Sequence, residues 1–277
     1  MTVAVVTDSA SALPAPVAAA HGVTVVPIWL DLDGRSVRDG EAATTEVLAA
    51  ARVTTSGPSP GEFAAGLSTA LEQADAALVV TVAAGLSSTH GAAVLGAAAF
   101  GARVRVLDTG SAAGGEALVV LAAAAAGRDG AALDDVAGRA AAVAGRVRMV
   151  GALANSAHLA RGGRVPGLAA RAADRLGVRP LFDLHGGKVR GLRPARGDGD
   201  LARIERLCLD DRPAAGARLH AVVMHADARD RADVLWRRLR AAAPDADLLV
   251  TPFGPAMVAH TGPGVLGLAW WWHDERF

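Results

Sequence analysis

The sequence predicts an α/β protein of two domains, the first with a parallel sheet between two layers of helices. The chain has 277 residues and is 52% hydrophobic, which is enough for a sizeable core and for one or two domains. Short apolar runs alternate with helical patterns through residues 1–110, as in parallel sheets covered by helices. Near residue 150 Gly and Arg become more frequent, so we place the domains at 1–150 and 151–277.

In the first half, apolar runs predict strands and longer periodic segments predict helices. Ser59 is the expected cap of one helix, with Pro60 in its first turn and Glu62 three residues after the cap. The predicted strands are Val3–Val6, Val23–Leu30, Ala77–Val82 and Arg103–Leu107, and the predicted helices are Leu13–His21, Glu46–Arg52, Glu62–Gln73, Ser88–Phe100, Gly115–Ala126 and Leu133–Ala144.

In the second half, the apolar runs are spaced more irregularly. Gly186–Gly187 lies between two strand-like segments and predicts a hairpin turn. The other predicted elements are the strands Val178–Leu184, Leu219–His225 and Asp247–Val250 and an amphipathic helix from Ala228 to Ala242.

Charge is unevenly distributed although the net charge is zero. Residues 1–138 carry 6 basic and 14 acidic side chains, whereas residues 139–240 carry 21 basic and 10 acidic ones. A solvated face accounts for the basic region best, followed by an acidic partner or phosphate. Nucleic acid comes last, because the region has almost no aromatic side chains for stacking on bases.

The chain has the composition expected of a cytoplasmic protein. Its one cysteine, Cys208, cannot form an internal disulfide and fits a reducing compartment, where it is best interpreted as a buried apolar residue. The N-terminus lacks the basic and long apolar regions of a signal peptide. The longest apolar stretch, Ala117–Ala126, is far shorter than the roughly 20 residues that span a bilayer, so no stable membrane insertion is expected.

Three polar loops follow predicted elements of the first domain, where ligands bind in α/β sheets. In the first loop, Asp8 and Ser9 are candidates for bracing the loop. Asp8 is alternatively a nucleophile or a metal ligand. In the second, Thr54–Phe63, Thr55 and Ser56 precede the helix cap. Their hydroxyls are therefore free to face an anion at the helix N-terminus.

The third loop, Ala84–His90, carries Ser87 and Ser88 before a predicted helix. Its Gly-Leu-Ser-Ser-Thr segment nearly matches the nucleophile elbow of hydrolases, but Thr89 replaces the last Gly. Donation of hydroxyls to an anion and simple helix capping are the other interpretations, and both are favoured over the nucleophile.

Two segments of the second half also carry polar groups. Arg161 and Arg164 flank a Gly pair, a pattern that suits contact with phosphate or carboxylate. His260 and Thr261 stand in a Gly/Pro-rich turn and offer an imidazole and a hydroxyl to one ligand. The histidines show no metal-ligand spacing, and the sequence contains no Walker loop, dinucleotide fingerprint or Cys pair.

These motifs, in this order along the whole chain, resemble the DegV family of bacterial fatty-acid-binding proteins. The resemblance is carried by Thr-Asp-Ser after the first strand, Thr-Ser-Gly-Pro-Ser-Pro from Thr55, Leu-Ser-Ser-Thr around Ser87, Gly-Gly-Arg ending at Arg164 and His-Thr-Gly-Pro-Gly from His260. It implies two α/β domains, the second with a mixed sheet, that enclose an acyl chain in an apolar tunnel.

The resemblance also implies roles for individual residues. Thr55 and Ser87 would hold the fatty acid carboxylate, with Ser56, Ser88, His260 and Thr261 beside them. Arg164 and Arg193 would contact a separate fatty acid kinase subunit or the phosphorylated head group. The family's binding proteins have no catalytic activity, need no cofactor or metal, and take part in phospholipid metabolism by presenting the acid for acyl phosphate formation.

Two other functions compete with lipid binding. The first is a serine esterase that uses Ser87 with His260 and an acid such as Asp8. The second is a DNA-binding regulator that uses the basic region, but the sequence shows no helix-turn-helix with base-reading residues.

Overall fold

A computed structural model describes residues 2–154, 178–214 and 216–273. The elements of the first half are β1 (Val3–Asp8), a 3-10 turn (Ser9–Ser11), α1 (Ala15–Ala20), β2 (Val23–Val26), β3 (Trp29–Leu32), β4 (Arg35–Arg38), α2 (Thr44–Ala49), β5 (Val53–Ser56), α3 (Pro60–Ala70), β6 (Ala76–Thr81), α4 (Thr89–Ala97), a 3-10 segment (Ala98–Arg103), β7 (Val104–Asp108), α5 (Gly114–Arg128) and α6 (Leu133–Ala144).

The elements of the second half are β8 (Arg148–Ala152), β9 (Val178–His185), β10 (Lys188–Arg196), α7 (Gly199–Asp210), β11 (Arg218–His225), α8 (Arg229–Ala242), β12 (Asp247–Pro252), α9 (Pro255–Thr261) and β13 (Leu266–His273). Four of these were not predicted: β8, α7, α9 and β13.

The first sheet is parallel, in the order β2-β1-β6-β7, as predicted. The capping box of α3 is confirmed, since Ser59 Oγ accepts from the backbone N–H of Glu62, and Glu62 Oε2 accepts from that of Ser59. Capping by a side chain three residues away depends on local sequence alone, which is why it could be predicted.

A separate three-stranded antiparallel sheet, in the order β4-β3-β5, corrects two predictions. The single strand predicted over Val23–Leu30 is wrong: it ends at Val26 and restarts at Trp29, because Pro27 has no N–H for a ladder. The predicted loop from Thr54 is also wrong at its start, because Thr55 pairs with Leu30 in strand β5.

The second sheet is mixed, in the order β10-β9-β8-β13-β11-β12. Strands β11 and β12 are parallel, and the other neighbouring pairs are antiparallel. The predicted hairpin joins β9 to β10, and Gly186 and Gly187 have φ of 56° and 72°, which glycine adopts without strain.

Helix α5 lies between the two large sheets and contacts β1 and β6 of the first as well as β11 and β13 of the second. Its start approaches β11 closely: a Cβ on Gly114 would come within 2.8 Å of the Val222 Cβ. The opposite face of the second sheet is covered by α7 and α8, which bury Ile204, Leu235 and Leu239 against it.

Cys208 is a buried free thiol in α7, and burial raises its pKa, as expected for a residue that serves as an apolar one. Among the helices within the described ranges, none has both the length and the apolar character needed to cross a membrane.

Candidate functional site

The candidate site centres on a contact between two residues 205 positions apart. Thr55 Oγ1 lies 2.8 Å from His260 Nε2, and both side chains are half-buried. Thr55 is on β5, the edge of the three-stranded sheet, and His260 is in the last turn of α9. The expectation that His260 stands in a Gly/Pro turn is therefore wrong; that turn begins only at Gly262, whose φ is 74°.

Thr261 is placed differently from its neighbour. Its side chain is 7% exposed, and its hydroxyl donates to the carbonyl of Met257 inside α9. A hydroxyl that bonds to the carbonyl four residues earlier is used by its own helix. The structure therefore brings His260, but not the Thr261 hydroxyl, to Thr55.

The Ser87 loop meets the Thr55 segment through Gly57 and Thr89. Ser87 Oγ lies 2.8 Å from Thr89 Oγ1 and accepts from the Thr89 backbone N–H at 3.3 Å. A Cβ on Gly57 would come within 2.5 Å of Thr89 Oγ1. Only glycine allows this approach, so position 57 was a sequence signal for the contact, and Thr89 is a site residue that sequence reasoning missed.

Ser56 and Ser88 lie at the edges of this arrangement. Ser56 is exposed at the end of β5, where it pairs with Trp29. Ser88 is exposed at the N-cap of α4, and its side chain makes no capping bond.

Asp8 and Ser9 connect loops at the end of β1. The two carboxylate oxygens of Asp8 accept from the backbone N–H groups of Ala10 and Val82, both at 3.0 Å. Ser9 Oγ donates to Asp39 at 2.7 Å and accepts from the Ile28 N–H at 3.0 Å. Because the Asp8 oxygens are bound to backbone groups, the carboxylate that an esterase triad would need is engaged elsewhere.

A second buried carboxyl lies beside Asp8. Glu116 of α5 is 0% exposed, and its Oε1 accepts from the Thr7 hydroxyl at 3.1 Å. Burial first, and the charge of Asp8 second, raise the pKa of Glu116 well above its ordinary value. Burial likewise raises the pKa of Asp8 to about 6, against the lowering effect of the Val82 and Ala10 N–H groups.

The hairpin turn of the second sheet is seated on the loops that follow β6 and β7. The Gly187 N–H donates to the Gly110 carbonyl at 2.6 Å. A Cβ on Gly85 would come within 2.7 Å of the Gly187 carbonyl oxygen. The loop that carries Ser87 is therefore held from the second sheet as well as from its own.

The two predicted arginines are only partly accounted for. Arg164 falls outside the described residues. Arg193 is exposed on β10, an edge strand that also exposes Lys188, Arg190 and Arg196.

A cavity of about 1220 Å³ lies away from these residues. Apolar side chains of α5, β11 and β12 line it, including Leu118, Leu121, Val222 and Leu249, together with several charged side chains. None of the predicted ligand-binding residues lines it. Within the described ranges, no group of three or more His, Cys, Asp or Glu side chains is placed to hold a metal ion.

Comparison with known proteins shows similarity along the whole length. A family model described as "Uncharacterised protein, DegV family" matches residues 2–272. A DegV domain-containing protein of Streptomyces coelicolor is 38% identical over 279 residues, covering 96% of this chain and 97% of the relative. One from Mycobacterium tuberculosis is 36% identical over 274 residues, covering 97% and 96%.

Solved structures share the fold. A DegV family protein from Thermus thermophilus, described as binding fatty acid, superposes with a TM-score of 0.90 at 32% identity, covering 98% of this chain and 99% of its own. A Thermotoga maritima protein whose structure revealed a fatty acid binding function gives a TM-score of 0.85 at 26% identity, with 98% and 99% coverage.

Proposed function

This chain belongs to the DegV family, and from that premise we propose that it binds a long-chain fatty acid in the cytoplasm. The observation that carries the proposal is the Thr55–His260 pair, which the fold joins to Ser87 through Gly57 and Thr89. The fatty acid binding described for the Thermus and Thermotoga relatives supports it.

The hydroxyls of Thr55 and Ser87 can each donate a hydrogen bond to one carboxylate. If His260 Nε2 carries a proton, it donates to Thr55 Oγ1, and the Thr55 hydroxyl is then free to donate outward. Thr89 stands in the same relation to Ser87, since its N–H and hydroxyl both face Ser87 Oγ. Two oriented hydroxyls bind an anion without a permanent positive charge in the site.

We propose that the acyl tail packs against the apolar side chains that cover a glycine pair in the second sheet. Phe182, Gly151, Gly267 and Met224 form one row across four adjacent strands. The Phe182 ring covers Gly151, since a Cβ there would come within 2.5 Å of two ring atoms, and the Met224 side chain lies 3.1 Å from the position of a Cβ on Gly267. Apolar contact with these covering side chains is worth about 0.8 kcal/mol for each buried CH₂ before binding costs.

We propose that the two domains, 1–150 and 151–277, contribute different parts of the binding site. The first supplies Thr55 on strand β5 and the Ser87 loop. The second supplies His260, the apolar row and the exposed basic strand β10. No ion pair of Arg193, or of its exposed neighbours Lys188, Arg190 and Arg196, occurs among the described residues.

Unpaired cations on an exposed edge suit an acidic partner or a phosphate. The protein would present its ligand there to a separate kinase, with Arg193 and Arg164 at the contact, and would not itself be catalytic. The kinase would transfer the terminal phosphoryl group of ATP to the carboxylate and release ADP. The acyl phosphate would then serve phospholipid metabolism.

The direct test is to extract the purified protein with organic solvent and to analyse the extract by mass spectrometry. A co-purified fatty acid, or saturable binding of an added one, is expected. Absence of both would overturn the proposal. Covalent labelling of Ser87 by a fluorophosphonate would instead favour the esterase.

Two substitutions separate the roles of the site. Ser87→Ala removes one carboxylate donor and should raise the Kd for fatty acid about tenfold, as for a hydrogen bond to a charged group. Ser68→Ala is the matched control, because Ser68 is exposed on α3 and its hydroxyl donates to the Ala64 carbonyl of its own helix. Arg193→Ala should leave the lipid Kd unchanged and reduce kinase-dependent phosphorylation; equal loss of lipid in both variants would contradict this division.

A further inference from the structure

Asp39, which sequence reasoning did not single out, joins three separate parts of the chain. It follows β4, and its backbone N–H donates to the Ile28 carbonyl at 2.7 Å. Its Oδ2 accepts from the Ser9 hydroxyl at 2.7 Å, and its Oδ1 accepts from the Ala256 N–H at 3.0 Å. One carboxylate therefore ties the loop after β1 to the first turn of α9.

Helix α9 has no N-terminal cap of its own. Its N-cap residue is Gly254, which has no side chain, and Pro255 has no N–H. The first N–H of the helix is that of Ala256, and Asp39 accepts it from across the molecule. A carboxylate at this end is favoured both as a hydrogen-bond acceptor and by the helix dipole.

The same helix carries His260 to Thr55. His260 is four residues after Ala256, about one turn or 6 Å along the axis. So short a helix moves as a unit, and a displacement at its first turn is passed to its last. Gly254 lies beside Asp39, since a Cβ there would be in ordinary contact with the carboxylate, 3.4 Å from its Oδ2.

The carboxylate of Asp39 depends on these donors. Burial raises its pKa, and the hydrogen bonds from Ser9, Ala256 and Gly40 oppose that rise. Ser9 is itself fixed by the Ile28 N–H that it accepts at 3.0 Å. The acceptor that caps α9 is therefore held in place by the loop after β1.

We propose that Asp39 is a positioning residue that holds α9 so that His260 Nε2 stays within hydrogen-bond distance of Thr55 Oγ1. Its importance for lipid affinity rests on the proposed function, but its effect on His260 does not. Among the described residues, no hydrogen bond joins Asp39 to Thr55 or Ser87, so Asp39 would act through the helix.

The test follows the His260 imidazole in ligand-free protein by ¹⁵N NMR, and the Kd for fatty acid in parallel. In Asp39→Ala, the ring-nitrogen shifts of His260 should move toward those of a solvated imidazole, and the Kd should rise about tenfold. Asp39→Asn should restore both readouts, because its Oδ1 still accepts from Ala256 and its NH₂ donates to Ser9 Oγ.

Asp33→Ala is the matched control. Asp33, exposed in the turn between β3 and β4, also accepts two backbone N–H groups, those of Ala51 and Arg52, neither of which belongs to α9. This variant should lose stability and leave the His260 signals unchanged. Equal movement of those signals in Asp33→Ala and Asp39→Ala would overturn the proposal, because it would show a general loosening.

Other outcomes separate this proposal from the proposed function. If the unmodified protein binds no fatty acid but the His260 signals respond to Asp39→Ala, positioning stands and lipid binding fails. If lipid binds but neither readout responds, positioning fails. Should Asp39→Ala not fold, Ser9→Ala removes the one side-chain hydrogen bond that the described residues make to the Asp39 carboxylate, and unchanged His260 signals there would overturn the proposal.

Discussion

Replacing Glu116 by Gln should make the protein less sensitive to alkaline pH. Glu116 is fully buried, its Oε1 accepts from Thr7, and its Oε2 accepts a hydrogen bond from no donor among the described residues. The adjacent carboxylate of Asp8 gives Oε2 a place to donate a proton, so the pair is satisfied when Glu116 is protonated. Glutamine reproduces this arrangement at every pH, since its NH₂ donates to Asp8 and its carbonyl accepts from Thr7.

The sign and size of the effect follow from proton linkage. Above the unfolded pKa of 4.5 and below the raised folded pKa, the folded protein holds a proton on Glu116 that the unfolded chain has lost. Folding stability therefore falls as pH rises, by about 1.4 kcal/mol per pH unit, until Glu116 ionises in the folded state. Asp8 adds a fall of about 3 kcal/mol as pH rises from 3.8 to about 6, in both proteins.

The assay is urea unfolding at pH values from 5 to 8.5, followed by tryptophan fluorescence. The unfolding free energy of the unmodified protein should decline more steeply than that of Glu116→Gln, and the two should diverge with rising pH. Glu72→Gln is the control, because it makes the same chemical change at an exposed position and should parallel the unmodified protein. Parallel pH curves for Glu116→Gln and the unmodified protein would refute a buried proton on Glu116.

Further predictions concern other contacts. Ser59→Ala removes the capping box with Glu62 and should lower the unfolding free energy by about 1 kcal/mol in urea titrations. Asp211→Ala breaks the paired contact with Arg148 at 2.6 and 2.7 Å and the bond from Trp270 Nε1 at 2.9 Å, and should cost about 2 kcal/mol by the same measurement. Fatty acid at a hundred times its Kd should raise the unfolding free energy by about 2.7 kcal/mol, and no rise would contradict specific binding to the folded state.

Local signals in the sequence predicted most of the elements in the first half of the chain. The capping box at Ser59 and the hairpin at Gly186–Gly187 depend on residues a few positions apart, so a pattern is enough to find them. The break in Val23–Leu30 was missed although its sequence signals are local. Pro27 marks the break, and the Asp33–Gly34 turn marks the hairpin that follows.

Other elements depend on tertiary packing that no local pattern contains. Strands β8 and β13 lie in the middle of the second sheet and are buried on both faces, so they lack the alternation of a half-buried strand. Helix α9 spans only seven residues between Gly/Pro segments, and such a sequence predicts a turn.

The site itself could be predicted only through the resemblance to a known family. Thr55 and His260 are 205 residues apart, and no spacing rule joins them. Sequence reasoning missed Thr89, although Gly57 was a signal for close approach. It also missed Glu116, a lone acid in an otherwise apolar helix, which periodicity treats as an ordinary helical position.

The Gly186–Gly187 turn packs against Gly85 and Gly110, and this contact limits which substitutions the sequence can tolerate. A side chain at Gly85 would collide with the backbone of Gly187, and one at Gly110 would approach Gly186 to 3.2 Å. Substitution in one sheet is thus limited by backbone belonging to the other, and a tolerated change at either position needs the hairpin turn to move. Chimaeras that exchange the second half between relatives should therefore succeed only when the hairpin length and the two opposing small residues are transferred together.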